Sequence, residues 1–270
     1  MKTLASLFLT LIFCTSCAPV EQASSLDVTT SLGIVGGEFP DPAFPGYASI
    51  VKIQKFNRMH CTGTLIGSRL VLTAAHCLQN SVTTDFEIVF PSALKKITRL
   101  VVAQKAHPEF RRKTLVEDGV GRNGSSGDLA LMLLDEDAPA SAKVAKLPDQ
   151  ALPIDKDFML RVYGYGTTGL NNKDGDALRT TEVTGRVEAL TPTKISIDQR
   201  SGKGLCKGDS GGPIFAFENN QVILVGVTSG ADRWLLKDGV LVGDVCRYFS
   251  VSTQVGSYLD WIATTSVELK

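Results

Sequence analysis

From residue 47 onward the chain repeats one pattern, a short apolar run followed by a turn signal. The first series is "YASIVKI", "CTGTLIG", "RLVLTAAHC", "FEIVF", "ITRLVVAQ" and "LALMLLD". After a polar, proline-marked stretch from Asp135 to Pro153, it resumes with "FMLRVYGYG", "TEVTGRVEAL", "KISIDQ", "GPIFAF", "QVILVGVTSG" and "RYFSVST". Each run has the length of a strand, and no helix-length spacer separates them, as a parallel sheet with crossover helices would require. The pattern predicts an all-β chain of antiparallel sandwich or barrel architecture, and its two similar halves suggest two barrels. Only "VGSYLDWIATT" departs from it. There Val255, Tyr258, Leu259 and Ile262 recur at three- and four-residue spacing, which predicts an amphipathic helix over about 254–265 packed on the second half.

Composition excludes several classes. With 270 residues and 43% hydrophobic side chains, the chain can bury a large core and is not a disordered segment. Basic and acidic residues balance at 28 each, so no net field draws the protein to nucleic acid or to an anionic membrane.

The N-terminus carries its own information. "MKTLASLFLTLIFCTSC" sets Lys2 ahead of an apolar run from Leu4 to Phe13 and then small residues, the layout of an export signal over 1–17. That run is too short to span a bilayer, which takes about 20 apolar residues. Thr15-Ser16-Cys17 resembles a bacterial lipobox, although Cys14 stands where leucine is usual. Either Cys17 is lipidated, which makes the protein outer-membrane-anchored, or ordinary cleavage falls nearby. Residues 18–33 are small, polar and without period, and read as a tether or removable leader.

Setting Cys14 and Cys17 aside leaves Cys61, Cys77, Cys206 and Cys246, and in an exported protein an even number implies disulfides. Four cysteines allow three pairings. The sequence-near pair Cys61 with Cys77 and the distant pair Cys206 with Cys246 divide the chain into halves. With no Cys-x-x-Cys pair and three histidines, and with Asp85 and Glu87 forming no calcium loop, neither a metal nor a cofactor is expected.

The chemistry-bearing candidate is Ser210 in "CKGDSGGPIF". A serine hydroxyl is a poor nucleophile unless a base takes its proton, so a histidine and an orienting carboxylate must exist elsewhere. Of the three histidines, His76 in "VLTAAHC" follows an apolar strand and adjoins Cys77, whereas His60 adjoins Cys61 and His107 precedes a proline. Asp128 in "SSGDLALMLLD" stands between a glycine-serine loop and an apolar strand. There it either caps the strand or sits half buried against an imidazole, fixing its tautomer.

Together, "IVGG" at 34–37, "TAAHC" at 73–77, "DLALM" at 128–132 and "GDSGGP" at 208–213 resemble the chymotrypsin-like (trypsin) family of serine proteases. The resemblance covers about 34–264 and implies two six-stranded antiparallel barrels. An N-terminal barrel over about 34–145, a C-terminal barrel over about 155–252 and the terminal helix would make one peptidase unit, 34–267. It further implies that Ser210 attacks a peptide carbonyl, His76 carries the proton, Asp128 holds His76, and the N–H groups of Gly208 and Ser210 form an oxyanion hole. The family pairs Asp209 with the new ammonium made by cutting the chain before Ile34, so the resemblance implies a zymogen and an activating protease. Gly33 does not suit a trypsin-like activator. Another protease, trimming of the leader, or a different route is then required.

By the same resemblance, Gly204 lies at the base of the main specificity pocket, where aspartate would select lysine or arginine, and leaves a neutral base. Ser229 matches the strand that binds the substrate backbone. Ala231 narrows the entrance, and Tyr165 replaces a structural tryptophan. The segment from Ala231 to Val251 is about five residues longer than in the digestive enzymes; Cys246 still pairs with Cys206, and Asp244 either reaches the pocket or is an exposed loop aspartate. Polypeptides are the implied substrates, nucleic acid is no partner, and contact with a membrane comes only through an N-terminal lipid. The second functional class is a catalytically silent binding module on the same fold.

Overall fold

The computed structural model describes residues 34–270 apart from 93–94, 112–113, 118–119, 124, 189–190, 220 and 238–239. The signal, the leader and Cys17 lie outside the described residues. The first barrel uses β1 (Ile50–Lys55), β2 (Arg58–Gly67), β3 (Leu70–Thr73), β4 (Phe86–Phe90) and β5 (Ile97–Ala106). After a hairpin of β6 (Thr114–Glu117) and β7 (Val120–Asn123), β8 (Ala130–Leu134) completes it. The strands close in the order β1-β2-β3-β8-β5-β4, all antiparallel.

The second barrel uses β9 (Asp157–Gly164), β10 (Arg179–Arg186), β11 (Lys194–Asp198), β12 (Pro213–Glu218) and β13 (Gln221–Lys237). Short β14 (Val240–Val242) folds back on β13, and β15 (Phe249–Gln254) fills the remaining place. The order β12-β9-β10-β11-β15-β13 closes through the β12–β13 pairing, again antiparallel. This is the expected pair of six-stranded barrels with a C-terminal helix, the trypsin-like fold.

Burial explains the strand sequences. All five residues of β8 are buried, and a strand covered on both faces has to read as a continuous apolar run. Tyr163, Phe215 and Val227 of the second barrel join the same buried cluster as Leu72, Leu131 and Ile53 of the first, so the two barrels share a packed seam. A second cluster, with Leu160, Val162, Ile195, Ile197 and Ile214, fills the second barrel and includes Ile34.

Two features differ from the sequence reading. The terminal helix begins as a 3-10 turn, Val255–Tyr258, and continues as α1, Leu259–Glu268, three residues past the expected end. The spacing of Val255 and Tyr258 suits the three-residue period of a 3-10 turn. The β6–β7 hairpin and the run of β13 past Gly230 carry no alternating pattern in sequence. They are made by backbone ladders, which need no apolar face.

Candidate active site

β3 and β8 are adjacent, with Thr73 opposite Ala130. That register carries His76, three residues beyond Thr73, to Asp128, two residues before Ala130. His76 sits in a one-turn 3-10 helix, Ala75–Leu78, tied to β2 by a disulfide between Cys61 and Cys77. One Asp128 oxygen accepts the His76 backbone N–H at 2.9 Å and the other accepts the Nδ1–H at 2.8 Å. Ser229 Oγ donates to that second oxygen at 2.5 Å. On β13 Ser229 stands at a register shift between Thr228 and Gly230, and such a bulge re-aims a side chain out of the ladder.

Asp128 is 3% exposed. Burial alone would push its carboxyl up, but the bonds from His76 and Ser229 outweigh it and hold the group below its usual range. A carboxylate on the Nδ1–H side leaves Nε2 as the acceptor nitrogen of a neutral imidazole. His76 and Ser210 line one cavity of about 170 Å³. No direct hydrogen bond joins them, and such bonds often tighten only when substrate fills the cleft.

The serine loop is held from several sides. A disulfide between Cys206 and Cys246 fixes its start. The Lys207 carbonyl accepts the Thr167 N–H at 2.8 Å; because a trans peptide is planar, the Gly208 N–H must point the opposite way. Neither the Gly208 nor the Ser210 N–H is taken up by a protein acceptor among the described residues. Two free donors beside a serine are what an oxyanion hole needs, and losing one typically costs about 10²-fold or more in rate. At Gly211, with φ of +79°, an added Cβ would lie 2.0 Å from Thr73 Oγ1 and 2.3 Å from the Thr62 carbonyl. Only glycine lets the loop turn there.

Sequence reasoning missed Thr62. Its N–H donates to the Ser210 carbonyl at 2.8 Å, and its hydroxyl donates to the Gly208 carbonyl at 3.1 Å. A threonine inside "CTGTLIG" gives no signal of this, because its partners are about 146 residues away in sequence. Thr62→Val should lower kcat about tenfold with little change in KM, because the bond orienting Gly208 is lost, together with the acceptor of the buried Tyr165 N–H at 3.2 Å, with little change in shape. Thr62→Ser should restore the rate; an equal rise in KM, or no rescue by serine, would make Thr62 a packing residue only.

Asp209 is fully buried and accepts the N–H of Cys206 at 2.7 Å and of Gly166 at 2.8 Å. Among the described residues no cation pairs with it, and burial pushes its carboxyl up to about 7. Ile34 is likewise fully buried, in a cluster with Leu205, and Val35 bridges Gly204.

The cavity beside Ser210 is walled by Leu205, Cys206, Thr228, Ala231, Val245 and Ser250. Gly204 does not line it. The space a side chain at 204 would take is filled by Gln199, whose atoms would lie within 2.5 Å of an added Cβ. The Gln199 amide is 1% exposed, bonded to Leu205 N and O and to the Cys246 carbonyl. Asp244 is also outside the cavity lining, accepting the Cys246 N–H at 3.0 Å and facing Arg247 at 3.7 Å. His60 donates from Nε2 to the Cys77 carbonyl at 2.8 Å, and His107 stacks edge-on against Tyr258 and Trp261. Both are structural. Tyr165 is buried, 6% exposed, beside the serine loop.

The architecture and the cleft define a class, and the family model for trypsin matches residues 34–262. The chain belongs to the trypsin family. It is 26% identical over 262 residues to chymotrypsin from Phaedon cochleariae, across 92% of this chain and 87% of that protein. It is 25% identical over 247 residues to duodenase-1 from Bos taurus, across 86% and 88%. With the proclotting enzyme of Tachypleus tridentatus it shares 26% identity over 87% of this chain but spans only 66% of that protein's length. The structure of human heparin binding protein superposes with a TM-score of 0.67 at 23% identity, covering 86% of this chain and 96% of the other, a likeness of fold alone.

Proposed function

We propose that the protein is a serine endopeptidase that cleaves peptide bonds through an acyl-enzyme. Ser210 is the nucleophile, His76 the general base and then acid, Asp128 the group that orients His76, and Gly208 and Ser210 the oxyanion donors. The observation that carries this reading is the pair of hydrogen bonds that His76 donates to Asp128, with His76 and Ser210 lining one cavity. A binding module would not require that arrangement to be kept intact.

Activation by cleavage before Ile34 belongs to the same proposal. The buried Asp209 carboxyl, held by two N–H groups and, among the described residues, by no cation, has the chemistry to receive an ammonium. Export through the segment 1–17, with lipidation of Cys17 as its bacterial variant, is proposed from the sequence. No helix among the described residues is long and apolar enough to cross a membrane.

No acidic side chain lines the cavity beside Ser210 among the described residues, so neutral side chains of modest size are the proposed choice at the cleaved residue. Protein beginning at Ile34, assayed on a fluorogenic peptide library with that residue varied, should cleave after neutral residues at least tenfold faster than after arginine or lysine, because a charge buried without a partner is costly. A preference for arginine would overturn the neutral pocket.

A further inference from the structure

The edge of β13 that faces the cleft is open over a short stretch, and its two ends are already occupied. At one end, Thr228 exchanges bonds with the serine loop, its N–H to the Gly212 carbonyl at 2.9 Å and its carbonyl from the Gly211 N–H at 2.7 Å. At the other end Arg233, Trp234 and Leu235 pair with Arg122, Gly121 and Val120 of β7. Arg233 also pairs with Phe249 of β15. A strand has only two edges, so β7 lies on the edge away from β15. Along that same edge, residues 229–232 have no strand partner among the described residues, while β15 covers the other side opposite Gly230 and Ala231.

We infer that β7 ends the substrate-binding edge, so that about four residues on the N-terminal side of the cleaved bond can lie on β13 as an added strand. This rests on the reading that Ser210 attacks a peptide whose acyl half lies along Ser229 to Ala231. The slot is four residues, about 13 Å at strand rise. An acyl arm that leaves Ser210 at Ser229 and runs toward Arg233 is antiparallel to β13, as β7 is. Its fifth residue meets backbone groups that already bond to β7. A longer arm must turn out of the ladder there, and gains no further backbone bonds. The substrates that fit are unfolded stretches of polypeptide, held over about four residues by a short strand, as in other cases where a peptide is added to a sheet edge.

The hairpin can be removed without touching Asp128. Arg111 and Ser126 bond to each other across its base, N–H to carbonyl in both directions at 3.3 and 3.4 Å. Replacing residues 113–124 by two glycines leaves that pair in place. The experiment uses protein beginning at Ile34 and N-acylated peptide amides with one to eight residues before the cleaved bond. kcat/KM should rise in steps of about fivefold per ladder bond, with the bonds falling on alternate residues, up to three or four residues and then level off. In the hairpin-deleted protein the rise should continue past four, with hydrolysis of a one-residue ester unchanged. A full-length chain that keeps gaining through six or eight residues would overturn the inference, as would a plateau left in place by the deletion.

Binding of the same peptides to Ser210→Ala, read by fluorescence anisotropy, should level off at the same length. This reading needs no catalysis. Absence of hydrolysis at every length therefore overturns the proposed activity, and absence of the binding plateau overturns the edge.

Discussion

Ser210→Ala, in protein beginning at Ile34, lowers kcat about 10⁵- to 10⁶-fold, and adding His76→Ala to it removes little more. The two side chains act as a unit: without the nucleophile the base has no proton to take, so their losses do not add. Asp128→Asn should cost about 10⁴-fold with the fold intact. The amide can still accept one bond, but its NH₂ faces the Nδ1–H and drives His76 into the wrong tautomer. Ser229 donates to the same oxygen, and an amide nitrogen there would lose that bond too. Steady-state rates of the three variants on one peptide substrate check the set. Equal and additive losses would contradict a concerted site.

The second large effect concerns Asp209 and pH. In the uncut chain its carboxyl is fully buried, and burial raises it from 3.8 to about 7 against the pull of two backbone N–H bonds. The unfolded chain releases this proton near 3.8, the folded chain near 7. Between those values the folded state holds more protons, so stability falls as pH rises from about 4 to about 7 and is flat above. The loss is about 4 kcal/mol over that range. Urea midpoints of uncut Ser210→Ala protein at pH 4 and pH 8, compared with the same protein carrying Asp209→Asn, isolate the effect. Asparagine should remove the slope. After cleavage before Ile34 the new ammonium holds the carboxylate charged, and the slope from this group should reverse in the acid range. Equal slopes before and after cleavage would mean that Ile34 and Asp209 never pair.

Much of this molecule is written in local patterns. The strands that face two layers, such as Leu131 to Leu134, are apolar throughout, and the half-buried ones alternate, so the barrels could be read from period and length. Glycines around Ser210 marked a turn that only glycine can make, and Asp128 stood where an apolar strand begins. What the pattern did not carry depends on partners distant in sequence. Thr62 orients Gly208 by a bond across 146 positions. Gln199 fills the place that Gly204 leaves empty, and nothing in "KISIDQ" says which way its last side chain turns. The β6–β7 hairpin and the far end of β13 are joined by backbone ladders, which any sequence can make. Asp244 shows the converse. Its position in the chain allowed a role in the pocket, but its carboxylate is used to cap the turn Val245–Arg247.

Reaction with a peptidyl organophosphonate tests the central claim most directly, because it requires the nucleophile, the base and the oxyanion donors together. Protein cleaved before Ile34 should take up one equivalent, with the added mass on the peptide that contains Ser210, and Ser210→Ala or His76→Ala should abolish it. Cleaved, folded protein that stays unmodified at Ser210 would contradict the assignment and leave the fold serving a binding role.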